Sequence, residues 1–523
     1  MNRSHVGNGQ QEATSPFESI LFPGRQRRSP ARGSAPLFAD LNLDQVLDSI
    51  TAGREEYDLG AFFTTLLHDV GAVHYRHEVM RDLEQPPVLE TVTTFGEEMH
   101  TMREHLAQAE KLYHPRQRQA WFLDAVMVYC DAVRALSGRF DGLDVSSRGL
   151  HGLRDHLSAY VRSEAFTSLA AEAERVKRLL AEVRYSVHIR GDRVTVGRYQ
   201  GEPDYSADVL ATFERFKQGA PHDHRARLPA FVDMNHVEAR ILDLVAALNP
   251  EAFGALEAFC ARHGDYVDPT IATFDREVQF YLGYLDLIQP MRAAGLEFCY
   301  PRVSTRSKRE RVVSAFDLAL AVKLVRAGST VVCNDVELRD GERVLVVTGP
   351  NQGGKTTFAR MFGQLHHLAA LGLPVPGREA RLLLPDRVFA HFEREEDIRT
   401  LRGKLEDELV RIRDILAEAT DRSVLVMNES FTSTTLADAR LIGEEVMRRI
   451  IDAGLLCVYV TFVDELTSLD EATVSMVATV APDNPEERTF RVARRPADGL
   501  AYAAAIAARY RLTREWVGRR IAS

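Results

Sequence analysis

Val344-Leu345-Val346-Val347-Thr348-Gly349-Pro350-Asn351-Gln352-Gly353-Gly354-Lys355-Thr356-Thr357-Phe358-Ala359-Arg360 holds three pieces of structure in one run. The uninterrupted β-branched and apolar opening predicts a strand buried on both faces. The glycine-rich middle predicts a tight loop, and the stretch from Lys355 through HHLAALG predicts a helix. The spacing is G-x-x-x-x-G-K-[ST] in the strand-to-helix setting that this pattern requires. Glycines let successive backbone N–H groups wrap a phosphate chain, with the helix N-terminus adding positive potential. On this reading Gly349, Pro350, Asn351, Gln352, Gly353, Gly354, Lys355, Thr356 and Thr357 form a nucleotide cradle. Lys355 reaches the β- and γ-phosphates of ATP, and the Thr356 hydroxyl takes Mg²⁺.

Downstream, Ser423-Val424-Leu425-Val426-Met427 predicts a second buried strand, which ends in Asn428-Glu429. In P-loop NTPases an acidic residue at the end of such a strand holds Mg²⁺, usually through water, and a following glutamate can orient or deprotonate an attacking water. Glu429 is therefore the candidate catalytic base, beside the catalytic lysine Lys355. Asn428 is the candidate metal partner, weaker than aspartate because it brings a carbonyl dipole without a charge. Slow turnover is the expectation. After Pro301, short β-like runs alternate with amphipathic segments, the grammar of a parallel sheet with crossover helices.

The 523 residues are 45% hydrophobic and 27% charged, values of a folded chain of several domains. The five cysteines (Cys130, Cys260, Cys299, Cys333, Cys457) are far apart, which excludes a C-x-x-C pair and a disulfide framework. The polar start, and the lack of any long apolar run, predict a cytoplasmic protein with no membrane contact. A net charge of −10 excludes nucleic-acid binding by the whole surface, so any such contact must be local. Residues 1–36 are rich in Ser, Pro, Gly, Gln and Arg and are expected to be a disordered arm. From 37 to 300 apolar residues recur at helical steps, as in Phe62, Leu66, Val70 and Val73. Residues 183–199 break that pattern with a β-hairpin turning at Gly191-Asp192. The main boundary is placed near 301, giving a mixed fold: an all-α region with a small hairpin, then an α/β P-loop domain over 301–523.

The loop also carries a family resemblance. TGPNQGGKTTFAR resembles the phosphate loop of the MutS-type mismatch-repair ATPases, TGPN-x-GGK[ST]T, with Pro350-Asn351 as the discriminating pair. Cys333-Asn334-Asp335-Val336-Glu337-Leu338 is similar to the family's P-N-D-x-x-L lead-in. Residues 428–440, NESFTSTTLADAR, stand where the family has DE-x-GRGTST-x-DG, and Val460-Thr461-Phe462-Val463-Asp464-Glu465-Leu466 where it has ATH-x-x-EL. The stretch TLLHDVGAVHYRHEVMRDLE resembles the opening of the family's helical core, and the helix pair at about 235–295 its lever arms. The resemblance implies an ABC-like ATPase that homodimerises around ATP and Mg²⁺, clamps double-stranded DNA with low sequence specificity, and uses the nucleotide as a switch.

There are departures. Asn428 replaces the family's Asp, Phe462 its His, and the GRGTST loop survives only in Thr434 and, further on, Asp438. Residues 400–404, TLRGK, lack the serine by which a partner subunit contacts ATP; the helix start or Lys404 is the candidate substitute. The 36-residue arm is too short for the family's mismatch-reading N-terminal domain, whose absence is the expectation, and Phe95-Gly96-Glu97 lies in a helical stretch without the family's surroundings, so it is read as ordinary helix. Residues 175–198 carry seven basic residues against two acidic ones, and Arg184, Arg190, Arg193 and Arg198 are the candidate DNA contacts. A solvated hairpin with charged edges is the competing reading. The basic stretch at 302–311 is read as a linker surface, and His366-His367 as packing rather than metal ligands. Two further functions stay open: a clamp for branched or recombining DNA, and a nucleotide-gated protein scaffold with little hydrolysis.

Overall fold

The computed structural model describes residues 17–24, 35–202, 234–393, 403–481 and 484–497. The chain divides into two compact units. One combines residues 1–85, 146–150 and 276–523; the other combines 86–145 and 151–275. The fold is mixed α/β, with these units in place of a single cut near 301. The physical reason is that residues 37–85 fold with the C-terminal sheets, so the unit is built from separated stretches of chain.

The larger unit centres on a six-stranded sheet. Its spatial order is Val388–Phe392, Val424–Asn428, Leu456–Val460, Val344–Thr348, Thr473–Ala481, Asn484–Arg494. The first five strands are parallel and the last is antiparallel to its neighbour. The strands Val344–Thr348, Val424–Asn428 and Leu456–Val460 are buried at every residue, as strands covered on both faces must be. The helix Lys355–Ala370 is itself buried over nearly its whole length, and the helix Leu436–Asp452 covers its part of the sheet with Ala439, Val446, Met447 and Ile450. A second, four-stranded sheet runs in the order Arg302–Ser304, Glu379–Leu383, Glu310–Ala315, Asn334–Leu338. The basic stretch at 302–311 thus lies on and between strands of this sheet. Lys308 donates to the Gly454 carbonyl at 2.8 Å, Arg309 pairs with Asp340, and Arg311 approaches Glu379.

Residues 17–24 do not fit the expected disordered arm. Ile20 and Leu21 are fully buried in the larger unit. Ser19 Oγ donates to Glu277, which also accepts from the Ile20 N–H at 2.8 Å; Tyr75 and Tyr281 donate to the Ser19 and Ile20 carbonyls. The run Ile20-Leu21-Phe22 is too short to register in a composition averaged over 36 residues, yet it buries enough apolar surface to fix itself. Burial raises the Glu277 carboxyl from 4.5 to about 7, against its hydrogen bonds and the Arg76 charge. The folded state therefore binds the extra proton, and the contribution is full below about pH 4.5 and lost as pH rises through about 7. Urea unfolding should show a loss on the order of 3 kcal/mol across that window, which Glu277→Gln flattens. An unchanged slope in that variant would contradict the assignment.

The smaller unit is helical. Pro86–Lys111 and Pro115–Phe140 form an antiparallel pair joined by three residues, with the His114 side chain capping the second helix at the Arg116 N–H. Phe95 is 1% exposed and packs on Phe274, which places it in the core. Tyr129 OH meets Tyr160 OH at 3.0 Å and accepts from the Asp268 N–H. The helix Glu164–Ala181 leads to a two-stranded hairpin, Tyr185–Arg190 against Arg193–Arg198, and the helices His236–Leu248 and Pro250–Arg262 follow. Val196 of the hairpin packs into the cluster of Val245, Ala246, Ala252 and Phe253. Among the described residues no single helix is long and apolar enough to cross a membrane, while one sharply bent pair, His236–Leu248 with Pro250–Arg262, has the length and composition.

Candidate functional site

The strand Val344–Thr348 runs up the middle of the sheet and releases the chain into the loop 349–354 at its C-terminal end. Gly349 has φ +115°, and a Cβ there would lie 2.9 Å from the Ala478 carbonyl oxygen. A Cβ on Gly353 would lie 2.9 Å from the Pro350 carbonyl oxygen, so both positions tolerate only glycine without movement of backbone. Gly354, with φ +93°, starts the helix Lys355–Ala370 with no capping side chain. The first helical N–H groups are left to whatever anion the loop receives.

Lys355 is buried and turns its ammonium back onto the loop. Nζ donates to the Gly349 carbonyl at 2.9 Å, the Pro350 carbonyl at 3.1 Å and Asn351 Oδ1 at 3.2 Å. Burial lowers its pKa, and the charge of Glu429 opposes that shift, so the two side chains feel each other across the site. Pro350 is buried, Asn351 and Gln352 are exposed, and Thr356 and Thr357 are half-buried on the first helical turn. Asn428 ends its strand with Oδ1 buried and without a hydrogen-bond partner among the described residues. Glu429 follows in a left-handed conformation, φ +50°, with its N–H donating to the Val460 carbonyl. The fold thus gathers the loop, Lys355, Asn428 and Glu429 at the C-terminal ends of the parallel strands, where such sheets bind ligands.

Phe462, beyond the next strand, is 49% exposed. Thr434 and Asp438 bond each other at 3.2 Å, within the N-terminal turn of the helix Leu436–Asp452. Lys404 pairs with Glu393, while Thr400, Leu401 and Arg402 lie outside the described residues. His366 is buried against Glu310 and His367 against the Phe63 carbonyl; among the described residues no His, Cys, Asp and Glu cluster has the makings of a metal site. Arg184, Arg190, Arg193 and Arg198 are all exposed on the hairpin of the smaller unit, with Arg190 opposite Arg193.

One neighbour of the loop has no signal in the sequence. Arg488 donates to the Asn351 carbonyl at 3.3 Å, and its charge is felt at Lys355. It comes from the antiparallel edge strand, whose Phe490 (φ +56°) sits over Gly354 and is held by Asn334. No spacing rule ties residue 488 to a loop at 349, so only the pairing of the last two strands could bring it there.

The family model for MutS domain V matches residues 345–504, the stretch that contains the loop, Asn428, Glu429 and Arg488. Over that stretch the chain is similar to MutS proteins. Among curated proteins, the DNA mismatch repair protein MutS of Zymomonas mobilis is 35% identical over 147 residues, 28% of this chain and 17% of that protein. DNA mismatch repair protein MutS 2 of Halobacterium salinarum is 36% identical over 144 residues, 27% of this chain and 17% of its own length. MutS of Halalkalibacterium halodurans is 26% identical over 208 residues, 40% of this chain and 23% of that protein. The chain therefore spans less than a quarter of the length of these MutS proteins, and the family-model match falls on the site-bearing part.

Proposed function

We propose that this MutS-type chain is an ATP-dependent DNA-binding protein in which ATP binding and Mg²⁺-dependent hydrolysis switch a homodimeric clamp. Residues 301–523, with 37–85 folded into the same unit, then act as a P-loop ATPase domain, and the helical residues 86–145 and 151–275 act as the lever region that carries the basic hairpin at 183–199. The observation that carries this reading is the glycine-bound loop with Lys355 at its helix start, and the buried Asn428 Oδ1, without a hydrogen-bond partner among the described residues, with Glu429 next in the chain, all at the C-terminal ends of the parallel strands.

The residues fit a magnesium-bound nucleotide. Gly349 and Gly353 are positions that a Cβ would close, the uncapped helix start presents N–H groups, and Lys355 occupies itself with carbonyl oxygens that phosphate oxygens can replace. Lys355 moves its ammonium to the β- and γ-phosphates, and Arg488 adds a second positive charge near Asn351. Thr356 and Asn428 would hold Mg²⁺, which would neutralise charge on the phosphates. Glu429 orients a water and takes its proton as the water oxygen bonds to the γ-phosphorus and the bond to ADP breaks. The test is steady-state ATP hydrolysis with and without double-stranded DNA. DNA-stimulated turnover supports the switch, and a chain that binds neither ATP nor DNA contradicts it.

The hairpin arginines supply phosphate contacts of low sequence specificity. Changing Arg184, Arg190, Arg193 and Arg198 together to Ala should weaken DNA binding and make the salt dependence shallower, by about 0.9 in the log–log slope for each phosphate no longer neutralised. A fluorescence-anisotropy titration at several salt concentrations measures both. Unchanged affinity and slope would remove the hairpin from the DNA interface. The same panel, run with mismatched, perfectly paired and junction DNA, separates mismatch repair from a clamp for branched DNA. Asn428, uncharged at the metal position, favours one other reading, a nucleotide-gated scaffold that binds ATP and hardly hydrolyses it; turnover no faster than that of Lys355→Ala would select it.

A further inference from the structure

The turn that carries Glu429 is held in an uncommon shape. Glu429 has φ +50° and Phe431 φ +65°, two left-handed non-glycine residues flanking Ser430. Side chains with a Cβ rarely adopt that region, and they keep it only where the surroundings over-determine it. Two residues distant in sequence do so here. His391, fully buried at the end of the edge strand Val388–Phe392, meets Ser430 Oγ through Nδ1 at 2.9 Å and the Glu408 carbonyl oxygen through Nε2 at 3.2 Å. Glu408, 2% exposed on the helix Lys404–Glu418, accepts the Phe431 N–H at Oε2 at 2.8 Å. Nearer the surface Thr432 donates to Glu393 at 2.9 Å, and Glu393 also pairs with Lys404 at the start of that helix.

A carboxylate in this place is costly to bury, and its second oxygen, Oε1, has no hydrogen-bond partner among the described residues. Packing alone would be served better by an apolar side chain. What the carboxylate supplies is an acceptor for an N–H that the left-handed turn points inward and that would otherwise be buried unsatisfied. The Glu408 side chain takes Phe431 and its carbonyl takes His391, so both supports of the turn end on one residue of one helix. The turn cannot shift without that helix.

We propose that Glu408 and His391 are positioning residues which, through the turn 429–431, fix the Glu429 carboxylate for water activation. Neither touches the nucleotide. The proposal rests on Glu429 being the base. Its consequence is that displacement of the helix Lys404–Glu418 retunes hydrolysis with no change in the phosphate loop.

The test uses the full chain and compares Glu408→Ala, Glu408→Gln, Glu429→Gln and the double variant Glu408→Ala/Glu429→Gln in steady-state phosphate release and ATP binding. Glu408→Ala should lower kcat by about 10- to 100-fold, the scale of a misplaced catalytic group, with KM within about twofold. Glu408→Gln, which keeps an acceptor for Phe431, should return to within about threefold of the parent. In the Glu429→Gln background Glu408→Ala should cost nothing more, because residues acting through one group are not additive. A general packing defect would instead lower both backgrounds alike. If Glu408→Ala does not fold, Ser430→Ala, which deletes only the hydroxyl that His391 holds, should lower kcat by about 10-fold with KM kept. Parent-like kcat in Glu408→Ala, or in Ser430→Ala where that variant is used, while Glu429→Gln is inactive, overturns the positioning role and leaves the base in place. So does full additivity of the double variant. Parent-like phosphate release by Glu429→Gln removes the base itself, and this proposal falls with it.

Discussion

Lys355→Ala should lose turnover by about 10²- to 10³-fold, the effect of deleting one preorganised donor from a transition state that develops negative charge. The ammonium is already in place: it bridges the Gly349 and Pro350 carbonyls and Asn351 Oδ1 from the first residue of the helix. Its removal leaves carbonyls that solvent or the uncapped helix start can satisfy, and takes away a charge whose burial was unfavourable, as its lowered pKa records. The melting temperature should therefore stay within a few degrees of the parent while phosphate release collapses. Lys355→Arg should not rescue, because the planar fork is wider than an ammonium and the pocket between Gly349 and Asn351 is closed by backbone. Malachite-green phosphate release with thermal melting on the same samples checks both halves. An active Lys355→Ala would show that the loop is not the site of hydrolysis.

Arg76→Leu should destabilise the fold more than any of the site substitutions, by about 3–5 kcal/mol. Arg76 is fully buried, donates from Nε to the Leu21 carbonyl at 3.1 Å and from Nη1 to the Leu371 carbonyl at 2.8 Å, and lies over the rings of Phe22 and Phe280. It ties the 17–24 segment to the end of the helix that starts at Lys355. Leucine fills much of the volume but abandons two buried carbonyls and the positive charge that Glu277 feels. The loss should be larger at pH 8, where Glu277 is ionised, than at pH 5, where it is protonated. Urea midpoints at the two pH values measure this; equal losses would mean that the Arg76 charge does not reach Glu277.

Those two sites differ in how they could be seen beforehand. The loop at 349–356 is legible because its chemistry is local: glycines where backbone must close in, a lysine at the helix start, an apolar strand before it. Asn428 and Glu429 are legible for the same reason, as polar residues ending an apolar run. Arg488, His391 and Glu408 are not, because strand pairing and helix packing bring them to partners 137, 39 and 23 positions away, and each looks like an ordinary charged or polar residue in its own segment. The 17–24 segment was hidden by the polar residues around it. The grouping of residues 37–85 with 276–523 was hidden because hydrophobic periodicity reports which face of a helix is buried and not what buries it.

Phosphate release by Glu429→Gln, alongside ATP binding by the same protein, tests most directly whether the loop and Glu429 form one ATP-hydrolysing centre. The expected result is ATP affinity within about twofold of the parent with release slower by about 10²-fold or more, since a base is lost and binding groups are kept. Release at the parent rate, or a parent protein that does not bind ATP at all, would contradict it.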